Sequence, residues 1–441
     1  MHDSQRLRHI LALGLPIIGG MLSQSLINLV DAAMVGPLGA TALAGVGIGS
    51  YANFVAIALV MGLGASVQAM VARRHGEGRI QEAAIPLNAG LLVAVLCGVP
   101  IALIGSIAAP QIVSWLSEDP AVQAIARDYF TWRVLAVAAV GLSFAFRGYW
   151  NGSHNPGPYL RILLGMHALN VLLSYGLIHG RLGLPALGAA GAGLGTCLAL
   201  YAGALVYLWQ TWRSGRSRGF LKAWPDRFTL QTLLRLSLPN SLQQVLFACG
   251  VALLFRIIGQ IGSAELAVAH VLINLALLLI LPGVGLGMAA TTLVGHSLGA
   301  GQIEQAWRWG WDVVKVASVV LVLLGAPFWL MPGWILGLFV SDPTLIALGL
   351  WPLRLTGVAM VLDAAALVFS QALLGAGASR SVMVVTLGVQ WLVLLPLAWL
   401  IGPVLGHGLL AIWTLYMLQR GLSSALFIGL WQRRQWARLS L

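Results

Sequence analysis

Long apolar runs, separated by short polar segments, fill the chain from end to end. A helix that crosses a bilayer needs about 20 such residues. The pattern predicts spanning helices at roughly 10–34, 45–71, 87–108, 128–146, 159–179, 188–211, 234–258, 266–294, 311–332, 346–370, 382–402 and 407–431. The expected fold is an all-α integral membrane protein with twelve transmembrane helices. The longest polar stretch falls at 212–229. It is read as a cytoplasmic linker between an N-terminal six-helix lobe, 1–211, and a C-terminal six-helix lobe, 230–441.

A repeat supports that division. Shifted by 223 residues, the halves align without gaps. Leu15-Pro16 falls on Leu238-Pro239, Gly36 and Gly39 on Gly259 and Gly262, and Leu43-Ala44 on Leu266-Ala267. Gly62-Leu63-Gly64 falls on Gly285-Leu286-Gly287, and Asp119-Pro120 on Asp342-Pro343. Six helices per repeat give both halves the same orientation, so the pseudo-two-fold axis is expected to run along the membrane normal. Paired bundles of this kind usually enclose a central cavity, and rocking them gives alternating access.

Composition fits this picture. Of 441 residues, 59% are hydrophobic and 9% charged, against about 25% charged in an average soluble domain. Lipid must therefore be the solvent for most of the surface. Glycine is abundant, with 53 residues spread through the apolar runs, as close helix packing in lipid requires. Trp115, Trp150, Trp212, Trp224, Trp334 and Trp431 lie near predicted span ends, where interfacial aromatic belts form. Cys97, Cys197 and Cys249 lie inside apolar runs without paired spacing and are expected to be small core residues. The first apolar stretch runs past signal-peptide length, so no cleavable leader is expected.

The net charge of +12 comes from basic residues in short inter-span segments, which leaves no basic domain to hold nucleic acid. Arg6, Arg8, Arg73, Arg74, Arg79, Arg213, Arg216, Arg218, Lys222, Arg227, Arg433, Arg434 and Arg438 share one side; Arg127 and Arg181 are the clear cations on the other. The bias puts both termini in the cytoplasm of a plasma (inner) membrane protein.

Ionisable groups inside lipid are costly and mark function. Of the 13 acids, Asp31 in span 1 and Asp363 in span 10 lie within apolar runs. Each half thus offers one candidate cation-coupling carboxylate. Gln24, Asn28 and Asp31 recur at spacings of four and three and share a helix face. That face suits a wet cavity, where Asp31 could take a proton from one side and release it to the other. The bland alternative is a structural carboxylate hydrogen-bonded to a neighbouring helix. His167, Asn170 and Ser174 form a similar face on span 5, Tyr51 and Asn53 lie on span 2, and His270 and Asn274 on span 8. These are candidate cavity-lining residues, although each taken singly also suits helix–helix hydrogen bonding. Arg256, Arg133 and Arg354 are read as structural or snorkelling cations.

Other chemistry lacks support. Gly45-Val46-Gly47-Ile48-Gly49 has no strand–turn–helix context for dinucleotides, no phosphate loop is present, and no His/Cys cluster has metal spacing. An ion gradient, with no cofactor or metal, is the expected energy source.

The residues Val30-Asp31-Ala32-Ala33-Met34-Val35-Gly36, then Leu43-Ala44-Gly45, Leu266-Ala267-Val268-Ala269-His270, Gly285-Leu286-Gly287 and Val294-Gly295-His296-Ser297-Leu298-Gly299-Ala300-Gly301 occur in a telling order. With Leu374-Gly375-Ala376-Gly377 after Asp363, they make the chain resemble the multidrug and toxic compound extrusion (MATE) transporters along its length. The resemblance implies a non-enzymatic antiporter that exports small organic cations, with Asp31 as the N-lobe coupling carboxylate. Asn170 matches the DinF-like branch, but Ser174 stands where that branch often has an acid. Asp363 fits the NorM-like branch, but Phe247-Ala248-Cys249-Gly250 lacks its usual glutamate. A desolvated sodium ion wants several oxygen ligands, so proton exchange is expected. Sodium held at Asp31 and Asn170 is the alternative. A flippase for lipid-linked precursors and a membrane-embedded transferase rank lower. The expected partners are small-molecule cations and membrane lipid, for a monomer.

Overall fold

A computed structural model describes residues 3–441. The described residues are helical throughout, with no strand among them. In chain order the helices are α1 (Asp3–Val35), α2 (Ala40–Gly76), α3 (Ile85–Leu116), α4 (Pro120–Leu135), α5 (Val137–Gly152), α6 (Gly157–His179) and α7 (Ala189–Gly215). Then come α8 (Arg227–Gly259), α9 (Ser263–Gly299), α10 (Ile303–Leu330), the short α11 (Pro332–Gly337) and α12 (Pro343–Ala376). The last are α13 (Ser379–Gly388), α14 (Leu395–Trp399) and α15 (Leu409–Gln432). The π-helical segment Val389–Leu394 joins α13 to α14, and a second, Leu400–Val404, extends α14, so that Ser379–Val404 is one span.

Ten helical segments among the described residues are long and apolar enough to cross a membrane, and a bent pair makes eleven. The bent pair is α4 and α5, which meet at 44° where one span at 128–146 is expected. No proline or glycine marks the break at Ala136. Instead the Tyr201 hydroxyl donates to the Leu135 carbonyl at 2.7 Å. An inserted side chain of this kind bends a helix at the point where it replaces the ladder bond. The twelfth expected span corresponds to α15. It has the length, but Gln419, Arg420, Ser423 and Ser424 dilute its apolar character. Gln419 Nε2 donates to Ser423 Oγ at 3.2 Å, and Arg420 and Ser424 bond α12 as described below.

The described chain forms two compact units. One is Gly19–Ser241; the other is the chain up to Ile18 together with Leu242–Leu441. The divisions fall inside α1 and α8, shortly after Pro16 and Pro239, rather than in the stretch 212–229. Within the first unit, α2 packs on α4 and α5, α3 on α4 and α5, and α7 on α4 and α6. Within the second, α12 packs against α9, α10 and α15. Repeat-related residues play matching parts: Asp119 accepts from the Ala121 amide and Asp342 from the Thr344 amide, each at 2.9 Å. Each caps a helix whose first residue is proline. The Thr344 contacts hold the Asp342 carboxyl below the usual carboxylate range.

The aromatic belt holds in part. Trp115, Trp212, Trp224 and Trp334 are exposed, whereas Trp150 and Trp431 are buried in the core. Among the cysteines only Cys197 is buried; Cys97 and Cys249 are on the surface. A thiol is small and apolar enough to face lipid as readily as a core.

Candidate functional site

Asp31 sits in the last two turns of α1, half-buried. The Asn170 side chain on α6 and the Arg133 guanidinium on α4 both lie close enough to act on its charge. Asn170 is itself buried and doubly engaged. Ser174 Oγ donates to Asn170 Oδ1 at 3.0 Å, and Thr196 Oγ1 on α7 donates to the same oxygen at 3.1 Å. With both hydroxyls on its oxygen, the amide has its NH2 group left to offer Asp31. One carboxylate oxygen, Asp31 Oδ1, is buried and has no hydrogen-bond partner.

Close helix approach makes this cluster possible. A Cβ at Gly195 would lie 2.6 Å from Ser174 Oγ and 2.7 Å from the Ser174 backbone nitrogen. Only glycine lets α7 come near enough to α6 for Thr196 to reach Asn170. On the flank, Arg133 sits 6.0 Å from the Tyr129 ring centroid, and Ser50 Oγ donates to the Tyr129 hydroxyl at 3.2 Å.

The structure therefore brings together Asp31, Asn170 and Ser174 and adds Thr196. Gln24, Asn28 and Tyr51 are exposed in the same unit. Asn53 is buried with its Oδ1 unpartnered, and His167 has a buried, unpartnered Nε2. His270 and Asn274 belong to the other unit and are exposed; His270 stacks on Phe255 with ring centroids 4.0 Å apart. Arg256, also exposed, lines a shallow groove of about 420 Å³ with Gln260, Trp391 and Trp399, as a snorkelling cation would.

Asp363 is far more enclosed. It forms an ion pair with Arg420 of α15, and Arg420 Nη2 donates to the Tyr416 hydroxyl at 3.0 Å. A search for buried acids alone misses Arg420 and Tyr416. An arginine in the middle of an apolar run is the signal that finds the first of them. Thr196 carries no such signal, since hydroxyls are common in glycine-rich spans.

Among the described residues no group of three His, Cys, Asp or Glu side chains could hold a metal ion. Long apolar helices with buried polar clusters between them define an integral membrane protein. The family model MatE matches two segments, residues 16–176 and 239–400, whose starts differ by the 223 residues of the repeat. The chain belongs to the MatE family, whose members are transporters and not enzymes. It is 29% identical over 421 residues to a "Probable multidrug resistance protein NorM" of Pseudomonas syringae pv. tomato, covering 92% of this chain and 90% of that one. A protein of the same description from Synechococcus is 30% identical over 437 residues, covering 96% and 93%. The fold matches that of a solved "multidrug resistance MATE family transporter of the MOP superfamily" in an outward-facing conformation. The TM-score is 0.91 at 21% identity, over 100% of this chain and 99% of the other.

Proposed function

We propose that this transporter exports amphiphilic organic cations in exchange for protons, and that Asp31 is the group on which the two compete. The observation that carries the reading is the bare state of one Asp31 carboxylate oxygen. Oδ1 is buried without a donor, although Asn170 and Arg133 lie close to the carboxylate. A proton on the bare oxygen removes the charge; a cation beside it balances the charge. Either satisfies an otherwise unpaired buried acceptor, and both cannot be needed at once.

The relatives described as multidrug resistance proteins support the substrate class. Gln24, Asn28 and Tyr51, exposed in the same unit as Asp31, suit a cation with an apolar body; a tyrosine ring attracts such a charge. Protonation from outside neutralises the face and releases the cation outward. Deprotonation to the inside restores the cation site. The basic segments around Arg73–Arg79 and Arg213–Arg227 support cytoplasmic termini in the inner membrane.

The test is Asp31→Asn, reconstituted in vesicles with an imposed pH gradient. Drug-linked proton movement should be lost while the protein stays folded. Normal exchange in that variant removes Asp31 from the mechanism. Transport that stops in sodium-free buffer at fixed pH replaces the proton by sodium.

A further inference from the structure

The second intramembrane acid carries an inference of its own. Asp363 and Arg420 are 4% and 9% exposed, and theirs is the most enclosed ion pair among the described residues. Arg420 is held from several sides. Its Nη1 bonds Asp363 Oδ2, its Nη2 donates to the Tyr416 hydroxyl, and its guanidinium carbon lies 5.0 Å from the Tyr416 ring centroid. The helices that carry the pair are stitched together on both sides of it. Ser424 Oγ accepts from the Ala366 amide at 3.1 Å and donates to the Leu362 carbonyl. Two turns before Arg420, Trp413 Nε1 donates to Thr356 Oγ1 at 2.9 Å. The register of α15 against α12 is thereby fixed from Trp413 to Ser424.

A carboxylate this deep must be neutralised by a proton or a cation. Here the cation is part of the chain. A guanidinium does not give up its proton in proteins, and its tether prevents it from leaving. A sodium ion at Asp363 would need several oxygen ligands, yet Arg420 already occupies both Asp363 Oδ2 and the Tyr416 hydroxyl oxygen.

We propose that Arg420 is a resident counter-cation that takes the place of an exchangeable ion at Asp363, so that ion exchange in this protein occurs at Asp31 alone. The proposal rests on the reading of Asp31 as the coupling acid. It makes Arg420 a determinant of how many ions, and which, are exchanged per drug molecule. It also assigns Asp363 a structural part, in contrast to the expectation that each half supplies a coupling carboxylate.

The test uses the full chain in proteoliposomes and the double variant Asp363→Asn/Arg420→Gln, in which an amide pair replaces the ion pair without leaving a lone buried charge. The probe is ethidium, with proton and dye fluxes read together. The expected result is an unchanged proton-to-dye ratio in the double variant. Wild-type protein should also show no thermal shift in sodium chloride beyond that in choline chloride. A lower ratio in the double variant, or a sodium-specific shift in the wild type that the double variant loses, overturns the proposal. Should the double variant not fold, the wild-type ratio decides: one proton per dye supports a single exchanging site, and two overturn it. Asp31→Asn is run in parallel. If it still couples protons while the double variant keeps its ratio, the Asp31 reading fails and Asp363 remains excluded as a carrier.

Discussion

Asn170 is the residue on which the N-terminal site turns. Its oxygen takes two hydroxyl donors and its side chain lies beside Asp31. Truncation leaves the Ser174 hydroxyl without its acceptor, Thr196 with only the Ala192 carbonyl, and the acid without its polar neighbour. A buried polar group left unsatisfied costs about 1–3 kcal/mol, whereas a single neutral hydrogen bond is worth about 0.5–1.5 kcal/mol. Asn170→Ala should therefore lower the unfolding free energy in detergent more than Ser174→Ala or Thr196→Val does alone. Proton-linked dye efflux should fall in the same order. Equal effects from all three would show that Asn170 does not organise the cluster. Part of this arrangement is legible in sequence. The spacing of Asn170 and Ser174 places them on one face, and an acid in an apolar run declares itself. Thr196 does not, because its reach to Asn170 depends on how closely two helices approach, which no periodicity encodes. Arg420 was legible for the same reason as Asp363, as a charge surrounded by apolar residues; what the sequence withholds is that the two charges meet.

At the scale of elements, helix existence follows from apolar length, and eleven of the expected spans have counterparts long and apolar enough to cross. The twelfth shows why hydropathy alone falls short. The polar residues of α15 bond inside the protein, Arg420 to Asp363 and Ser424 to Ala366 on α12 and Gln419 to Ser423 along α15 itself, so they do not weigh against burial in lipid. The bend between α4 and α5 is equally hidden, because its cause is a hydroxyl 66 residues away. Spacing between elements is set by glycine. An alanine at Gly195 drives its Cβ into the Ser174 backbone, whereas a Cβ at Gly47 meets nothing within 4 Å. Forcing an extra carbon into a packed contact costs about 1–3 kcal/mol, while alanine for glycine in an open helix site gains about 0.5–1 kcal/mol. Gly195→Ala should thus lower the melting temperature and the efflux rate by parting Thr196 from Asn170. Gly47→Ala should leave efflux intact and raise stability slightly. A harmless Gly195→Ala would mean that the spacing of α6 and α7 is slack.

At the scale of the whole molecule, the polar stretch that joins the two repeats is folded rather than loose. Residues up to 215 continue α7, Arg216–Arg218 form a 3-10 turn, and α8 begins at Arg227. Between them the chain is strapped to α3 and to the turn before it. Asn88 donates to the carbonyls of Gly219 and Ala223 at 3.0 and 3.1 Å and accepts from the Leu221 amide at 3.1 Å. The Ala84 amide donates to the Arg218 carbonyl at 3.0 Å. Gly219 turns the strap with φ of +90°, where a Cβ would also press on the Gln81 carbonyl at 2.9 Å. Arg74 donates to Thr229 Oγ1, and the Thr229 hydroxyl holds the Asp226 carboxyl below the usual carboxylate range. One side chain, Asn88, thus satisfies three backbone groups of a segment that includes the trypsin sites Arg216, Arg218 and Lys222. Backbone held in this way resists cleavage, because a protease needs local unfolding to bind it. Asn88→Ala should expose these bonds, and cleavage of membrane vesicles should then yield two fragments of roughly equal size, several times faster than in wild type. The same experiment reports orientation. Inverted vesicles should be cut and right-side-out vesicles spared if the basic stretch faces the cytoplasm, as the positive-inside bias predicts. Cutting from the opposite side would reverse the topology and with it the direction assigned to transport. Equal cleavage of wild type and variant would show that the strap does not hold the connection.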